Sequence, residues 1–432
     1  MHSSAGFGMS SARWFSTRWS KLLVSLAALA CADAAMAGEA YPLGRLEELA
    51  RSNPALRAAA TEIDGARAGV QTARAYPNPE VEYMAGSMNY RPYASGISGA
   101  SDSYSITQSL DLPFRRTPRI AAARAGLEAS KAGYAAVETD WIADLRLAYF
   151  GALRRTAEKA NAQTDLSLMQ SVYAKISLRV EQGDAPRIEL IRAEADLLNV
   201  QKAAQAAALR EDQARLQLRT LVGPDLPEDF ALTGQLDAPL PLPSLGVLQE
   251  QALAANPALA RARAEVEQAR HRLDYEESGR LPVVSLRATR EADREMRQTR
   301  VGVTVSIPLW DRKLGPVHEA EARRSQSDLQ LTARTYAIRQ ELGIAWRQYE
   351  VAQTQVAALE NGLIAQTRAA VNVADAAYKA GERGLIDVLD AQRVYRAARA
   401  DLIASRYELA AAWVDIQRLV ASPEPLPVRN IP

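Results

Sequence analysis

The sequence predicts an α+β protein made of two copies of one plan, with long helices and two short strand pairs forming the wall of a ring or barrel. Three observations carry this. The chain repeats itself: Asn53-Pro54-Ala55-Leu56 returns as Asn256-Pro257-Ala258-Leu259, Leu110-Asp111-Leu112-Pro113 is echoed by Val305-Ser306-Ile307-Pro308, and Leu221-Val222-Gly223 by Leu419-Val420-Ala421, at offsets of 203, 195 and 198. Gly183, six residues before Glu189, likewise answers to Gly381, six before Asp387. A period far beyond the roughly 20–50 residues of a solenoid marks duplicated halves. Two alanine-rich stretches are long enough for helices of about 100 Å. Two pairs of strand-like segments alternate apolar with polar residues.

Taken in order, residues 1–37 read as an export signal. Arg13, Arg18 and Lys21 precede the apolar run Leu22 to Ala30, and Ala35-Met36-Ala37 is a small-residue cleavage site. A lipoprotein reading would instead acylate Cys31, but Ala28 stands where a lipobox has Leu. Cys31 is the sole cysteine, so cleavage after Ala37 leaves no thiol for a disulfide, a metal or a nucleophile. The full chain carries +1; Arg13, Arg18, Lys21 and Asp33 contribute +2 of it, leaving −1 after cleavage. Near-neutrality gives no support to nucleic-acid binding. No stretch after residue 37 has 18 consecutive apolar residues, so no transmembrane helix is expected.

The first repeat is expected over 38–223, a linker over 224–243, the second repeat over 244–421, and a tail over 422–432. In the first repeat, a helix from about 42 to 75 precedes the strands. A single long helix follows over about 117–182, interrupted after Pro118 only by Gly126, Gly133 and Gly151. The second repeat has 244–278 and then 312–380. The closing helices, 186–222 and 385–420, carry heptads. Val388, Tyr395, Leu402 and Leu409 lie seven apart, with Ala391, Ala398, Ser405 and Ala412 three residues after each. Leu190, Leu197 and Ala204 repeat the phase. Ile188, Ile191, Ala195 and Leu198 form a second seam beside it, and two seams require two helical neighbours. An antiparallel bundle and a barrel wall both meet that requirement. The lengths separate them, because each pair of shorter helices, stacked end to end, matches one long helix and gives a wall of even height.

The strands are expected over about 80–112 and 282–309. Tyr104, Ile106, Leu110 and Leu112 alternate with Ser103, Ser105, Thr107, Ser109 and Asp111. Val301, Val303, Val305 and Ile307 alternate with Gly302, Thr304 and Ser306. Polar loops, 87–102 and 291–300, separate the members of each pair. Strands of about 10 residues with one apolar face suit a membrane barrel, and equally a half-buried soluble sheet. Four strands cannot close a barrel, for which about eight are needed. Strands that cross a membrane here must therefore be pooled by oligomerisation, and three copies would supply twelve.

This order of parts resembles the TolC-type outer-membrane efflux channels over essentially all of residues 38–432. The stretch from Gly381 to Ala391 is similar to the turn-and-helix motif of that family's periplasmic tip. Thr107-Gln108-Ser109-Leu110-Asp111-Leu112, the pair Arg115-Arg116, Asn53-Pro54-Ala55-Leu56 and Tyr76-Pro77-Asn78-Pro79 resemble the heavy-metal branch, although Pro113-Phe114 stands where that branch has glycines. The resemblance implies an α+β membrane protein. Long antiparallel helices would form a homotrimeric α-helical barrel, and four strands per chain would enter a twelve-stranded transmembrane β-barrel. It further implies an outer-membrane location with a large periplasmic portion. The partners would be a periplasmic adaptor and a proton-driven inner-membrane pump of the resistance–nodulation–division type, and the cargo heavy-metal cations. Such a channel performs no chemistry and needs no cofactor.

The resemblance also assigns residues. Asp387 and Asp390, three apart on one helical face, match the channel-entrance carboxylates, where rings of acid favour cations; the residues alone would equally suit first-turn acids at a helix N-terminus. Tyr378 and Arg383 match a gating pair, and the repeat register gives Glu189 as their acidic partner. Gly183, Asp184, Arg187 and Gly381 fall at the tip expected to meet adaptor or pump. His271 and His318 stand alone, so no metal site is expected. No nucleophile triad or phosphate loop is present, so no enzyme is expected. Two alternatives remain: the same architecture exporting drugs or secreted proteins, and a soluble periplasmic coiled-coil tether.

Overall fold

The computed structural model describes residues 40–92 and 96–421. The expected signal 1–37, Cys31 and the tail 422–432 lie outside the described residues. The short strand β1 (Ala40–Tyr41) leads into α1 (Leu43–Ala50) and α2 (Pro54–Arg74). Hairpin β2 (Glu80–Met88) and β3 (Gly99–Ser109) follows, then α3 (Pro113–Glu181) and the returning α4 (Arg187–Val222). Strand β4 (Ala231–Leu232) pairs in parallel with β1. The second half runs α5 (Leu245–Ala255), α6 (Pro257–Ser278), β5 (Val283–Ala292), β6 (Arg297–Ser306) and α7 (Leu314–Ala358). A π-helical turn at Leu359–Leu363 joins α7 to α8 (Ile364–Lys379), and α9 (Leu385–Val420) closes the chain's described part.

The repeated Asn-Pro has one structural job in both halves. Asn53 Oδ1 accepts the Ala55 amide at 2.9 Å, capping α2, while its Nδ2 donates to the carbonyls of Thr220 (3.1 Å) and Leu221 (3.0 Å) at the end of α4. Asn256 caps α6 through the amides of Ala258 (2.9 Å) and Leu259 (3.3 Å), and donates to the Leu419 carbonyl of α9 at 2.8 Å. Proline at the first helical position loses no bond there. One side chain thus satisfies orphan donors of one helix and orphan acceptors of another. It stacks α2 on α4 and α6 on α9, end to end. Gly223 and Ala421, which end α4 and α9, both have positive φ (108° and 53°).

Helix α3 packs against α2, α4, α6 and α9, and α7 against α6 and α9. The wall therefore reads α2/α4, α3, α6/α9, α7/α8. The antiparallel sheet reads β2-β3-β5-β6. Both layers end at matching edges: β2 and the α2/α4 stack on one side, β6 and α7/α8 on the other. The largest core lies where the helices meet end to end, around Leu46, Leu145, Phe150, Leu218, Leu342, Trp413 and Ile416. The linker covers it with Leu226, Phe230 and Leu240, and the buried Tyr349 donates to the Leu240 carbonyl at 2.8 Å. Burial there pushes the Tyr149 hydroxyl up to about 12. A smaller core near the far turns gathers Met169, Ile176, Ala193, Val200, Leu385 and Leu389.

Several elements differ from the sequence expectation. Helix α3 starts at Pro113 rather than near 117, since Pro113 suits a helix start. The segment 42–75 breaks at residues 51–53 and the segment 244–278 at Asn256, because each Asn is a cap. The segment 312–380 is divided by the π-helical turn. Both hairpins keep pairing into their polar loops, so β5 and β6 run to Ala292 and from Arg297. Asp293 permits this by accepting the Glu295 and Met296 amides at 2.7 and 2.6 Å, which closes a short turn. Of the two seams on α4, the one with Leu190, Leu197 and Ala204 is half-buried beside the buried Ala193, Val200 and Ala207, whereas Ile188, Ile191 and Leu198 are exposed on the single chain.

Sheet and wall are joined by arginines of α3. Arg119 binds the Asp111 carboxylate (2.5 Å) and the carbonyls of Ala73 (3.0 Å) and Ala75 (3.3 Å) at the end of α2. Arg116 donates to the Arg74 carbonyl at 2.9 Å and lies over the Tyr76 ring. Asp111, with its side chain 3% exposed, thereby fixes the base of β3 on the helices.

Candidate functional site at the helical tip

The two turns farthest from the sheet are built alike. In the α3–α4 turn, the Asp184 amide binds the Arg179 carbonyl (2.8 Å) and the Gly183 amide that of Val180 (3.1 Å). In the α8–α9 turn, Glu382 binds Ala377 (2.9 Å) and Gly381 binds Tyr378 (3.1 Å). Each is a Schellman closure needing a left-handed residue, supplied by Gly183 (φ 81°) and Gly381 (φ 76°). Asp184 and Arg187 are exposed beside the first turn. Glu189 and Asp387 are the first-turn acids of α4 and α9.

The structure brings Tyr378 to Glu189: the phenol donates to Oε2 at 2.9 Å, linking α8 to α4. The Arg179 guanidinium of α3 lies 4.9 Å from the Tyr378 ring centre, so three helices meet at this phenol. Tyr378 also packs on the small core containing Leu385 and Leu389. Burial raises its pKa above the ordinary 10.0, the hydrogen bond and charge of Glu189 add to this, and Arg179 opposes them. Arg383 does not reach Glu189 within the chain. It lies 3.9 Å from Asp387 of its own turn, and Asp390 is 3.1 Å from Arg393. Both pairs are largely exposed, and each contributes about 0–1 kcal/mol.

Sequence reasoning missed two features. Arg179 carries no local signature, being one more basic residue in a helix's last turn. The other is the π-helical turn, about 28 Å above the tip at 1.5 Å per residue. There Arg406 of α9 donates through Nε and Nη2 to Glu360 at 3.0 and 2.8 Å. Below it, Thr367 is the one buried residue of α8. The arm α8 is thus tied at its top by Arg406–Glu360 and at its foot by Tyr378–Glu189. π-helical turns concentrate at functional sites.

Among the described residues no group of three or more His, Cys, Asp or Glu could hold a metal ion. His271 lies 3.3 Å from Asp274. No described helix is long and apolar enough to cross a membrane, which says nothing of a β-barrel.

The profile of the Outer membrane efflux protein family matches residues 46–224 and 248–422, nearly all of both halves. The chain belongs to this family. It is 27% identical over 354 residues to the cobalt-zinc-cadmium resistance protein CzcC of Cupriavidus metallidurans, covering 81% of this chain and 82% of that protein. It is 24% identical over 421 residues to outer membrane protein TolC of Escherichia coli, covering 90% and 83%. The fold matches the crystal structure of CusC with a TM-score of 0.78 at 19% identity, over 88% of this chain and 91% of that one. The protein is thus an efflux channel of the outer membrane, with the TolC-like architecture and a large helical periplasmic part.

Proposed function

We propose that the protein works as a homotrimeric, passive conduit for heavy-metal cations in a tripartite efflux system, docked at its helical tip to a periplasmic adaptor and an inner-membrane pump. The observation that carries this is the uncovered apolar face of the sheet. Val81 is 74% exposed and Val301 80%, and no described helix of the chain packs on that face. Ile307, Leu309 and Trp310 continue the exposed apolar face toward the helices. An apolar face of that extent belongs against lipid.

The free edges support assembly from several copies of the chain. Strands β2 and β6 each lack a partner on one side, and an open edge is not viable in a bilayer. Three copies joined β6 to β2 would close a twelve-stranded barrel. The same rotation would set α7/α8 against the next copy's α2/α4 stack, covering Ile188, Ile191 and Leu198. Metal cargo is supported by the relative named for cobalt, zinc and cadmium resistance.

Deleting the gene should lower tolerance to cobalt, zinc, cadmium or copper severalfold and leave drug tolerance unchanged. The opposite pattern would assign the channel to drugs. At the entrance, Asp387 and Asp390 are proposed as the cation-selecting rings. Replacing both by Ala should move the reversal potential in a salt gradient toward zero. A reversal potential that stays put would place the filter elsewhere.

A further inference from the structure

The exposed face of the sheet changes character with height above the helices. One row holds Val81, Ile106, Ala288 and Val301; the next holds Tyr83, Tyr104, Arg290 and Thr299; the next Ala85, Asp102, Ala292 and Arg297. Successive rows on one face are about 6.8 Å apart. Arg294 stands in the turn beyond. Two tyrosine rings, 4.7 Å apart, mark the boundary where the apolar rows stop. Just above it lies a basin of about 760 Å³, lined by Arg290, Arg294, Arg297, Tyr104, Asp102 and Asp293 among others.

The charges in this basin are unbalanced. Arg290, Arg294 and Arg297 have no ion-pair or side-chain hydrogen-bond partner among the described residues. Asp293 spends one oxygen on two turn amides. Asp102 and Asp293 are the two carboxylates that face three guanidiniums, so the basin keeps one positive charge in excess. Unpaired arginines are common on lumenal walls and in loops in water. Here Arg290 and Arg297 share a face with Val81, Ile106 and Val301, and they stand at the end away from the helices. Guanidinium groups pair with phosphate in a fixed fork geometry. Tyrosines at the same level suit a headgroup boundary.

We propose that this basin binds the phosphates of an anionic glycolipid of the outer leaflet, with the apolar rows beneath taking its acyl chains. The inference rests on the reading that this face meets lipid. A phosphorylated glycolipid is the occupant that meets the apolar rows and the guanidiniums together, which a free anion or an apolar chain does not. The site lies on the outside of the pore, so it anchors and orients the barrel without touching cargo.

The test titrates the detergent-extracted full-length protein with diphosphoryl lipid A, monophosphoryl lipid A and phosphatidylethanolamine, reading bound lipid by native mass spectrometry. Wild-type protein should hold diphosphoryl lipid A most tightly and phosphatidylethanolamine least. At about fivefold per basic group near a charged lipid surface, the triple variant R290Q/R294Q/R297Q should bind diphosphoryl lipid A on the order of 100-fold more weakly. R290K/R294K/R297K keeps the charge but loses the fork, so its affinity should fall between wild type and the Gln variant. Equal binding of the three lipids by wild type, or equal affinity of wild type and the Gln variant, overturns the proposal. The same preparations are inserted in planar bilayers, where the Gln variant should conduct as wild type does. A conducting wild type with no phosphate preference removes this inference alone; a wild type that never conducts removes the channel reading, and the inference with it.

Discussion

Replacing Tyr378 by Phe, or Glu189 by Gln, is expected to raise single-channel conductance severalfold. A hydrogen bond to a charged partner is worth about 1.5–3 kcal/mol. In a trimer three copies act together, giving roughly 5–9 kcal/mol. Moving a two-state element from 1:99 to 99:1 takes about 5.5 kcal/mol. As a proposed gate, this link is strong enough to hold α8 in one position, whereas the exposed Arg383–Asp387 pair, at about 0–1 kcal/mol per copy, is not. Arg383→Ser is accordingly expected to open the channel less than Tyr378→Phe. The phenol donates only while protonated, and its pKa is raised by burial and by Glu189. Its contribution is complete below the ordinary 10.0 and is lost as pH rises through the raised value. Wild-type conductance should climb in that alkaline range, and Tyr378→Phe should abolish the climb. Wild-type conductance in both substituted channels would remove this link from the gate.

Asn256→Ala is expected to destabilise the helical wall by about 2–4 kcal/mol, combining a lost N-cap with a carbonyl left unpaired in a buried site. Asn53→Ala should act in the same direction. Asn256→Asp separates the two halves of the role. It keeps the acceptor for Ala258 and Leu259 but turns a carboxylate oxygen toward the Leu419 carbonyl, so it should be no better than Ala. Thermal unfolding followed by circular dichroism in detergent reads both. An Asp variant as stable as wild type would mean that the bond to α9 carries nothing.

Asn53 and Asn256 were visible in the sequence because a duplicated half must rebuild the same end-to-end joint, so the cap recurs with its proline. Glu189 was reached through the repeat register, since it occupies in α4 the place Asp387 holds in α9. Strand positions followed from alternation, but their ends did not. Charged residues continue each strand beyond its apolar rows, and the turn depends on one Asp293 side chain. Arg179 was invisible because its partner, Tyr378, is distant in the chain and only the folded tip joins them. The π-helical turn was invisible because the weak helix formers Asn361 and Gly362 in Leu359-Glu360-Asn361-Gly362-Leu363 do not distinguish a π turn from a continuous helix. The arginine basin reads in sequence as a charged loop; its meaning depends on which face of β5 and β6 each arginine occupies.

In the proposed channel the four strands are stable only when copies of the chain join their free edges into one pore. The direct measurement is the mass of the purified protein with and without detergent, coupled to conductance in planar bilayers. A detergent-dependent trimer that conducts is the expected result. A single subunit that stays monodisperse in plain buffer, and never conducts, would contradict the account.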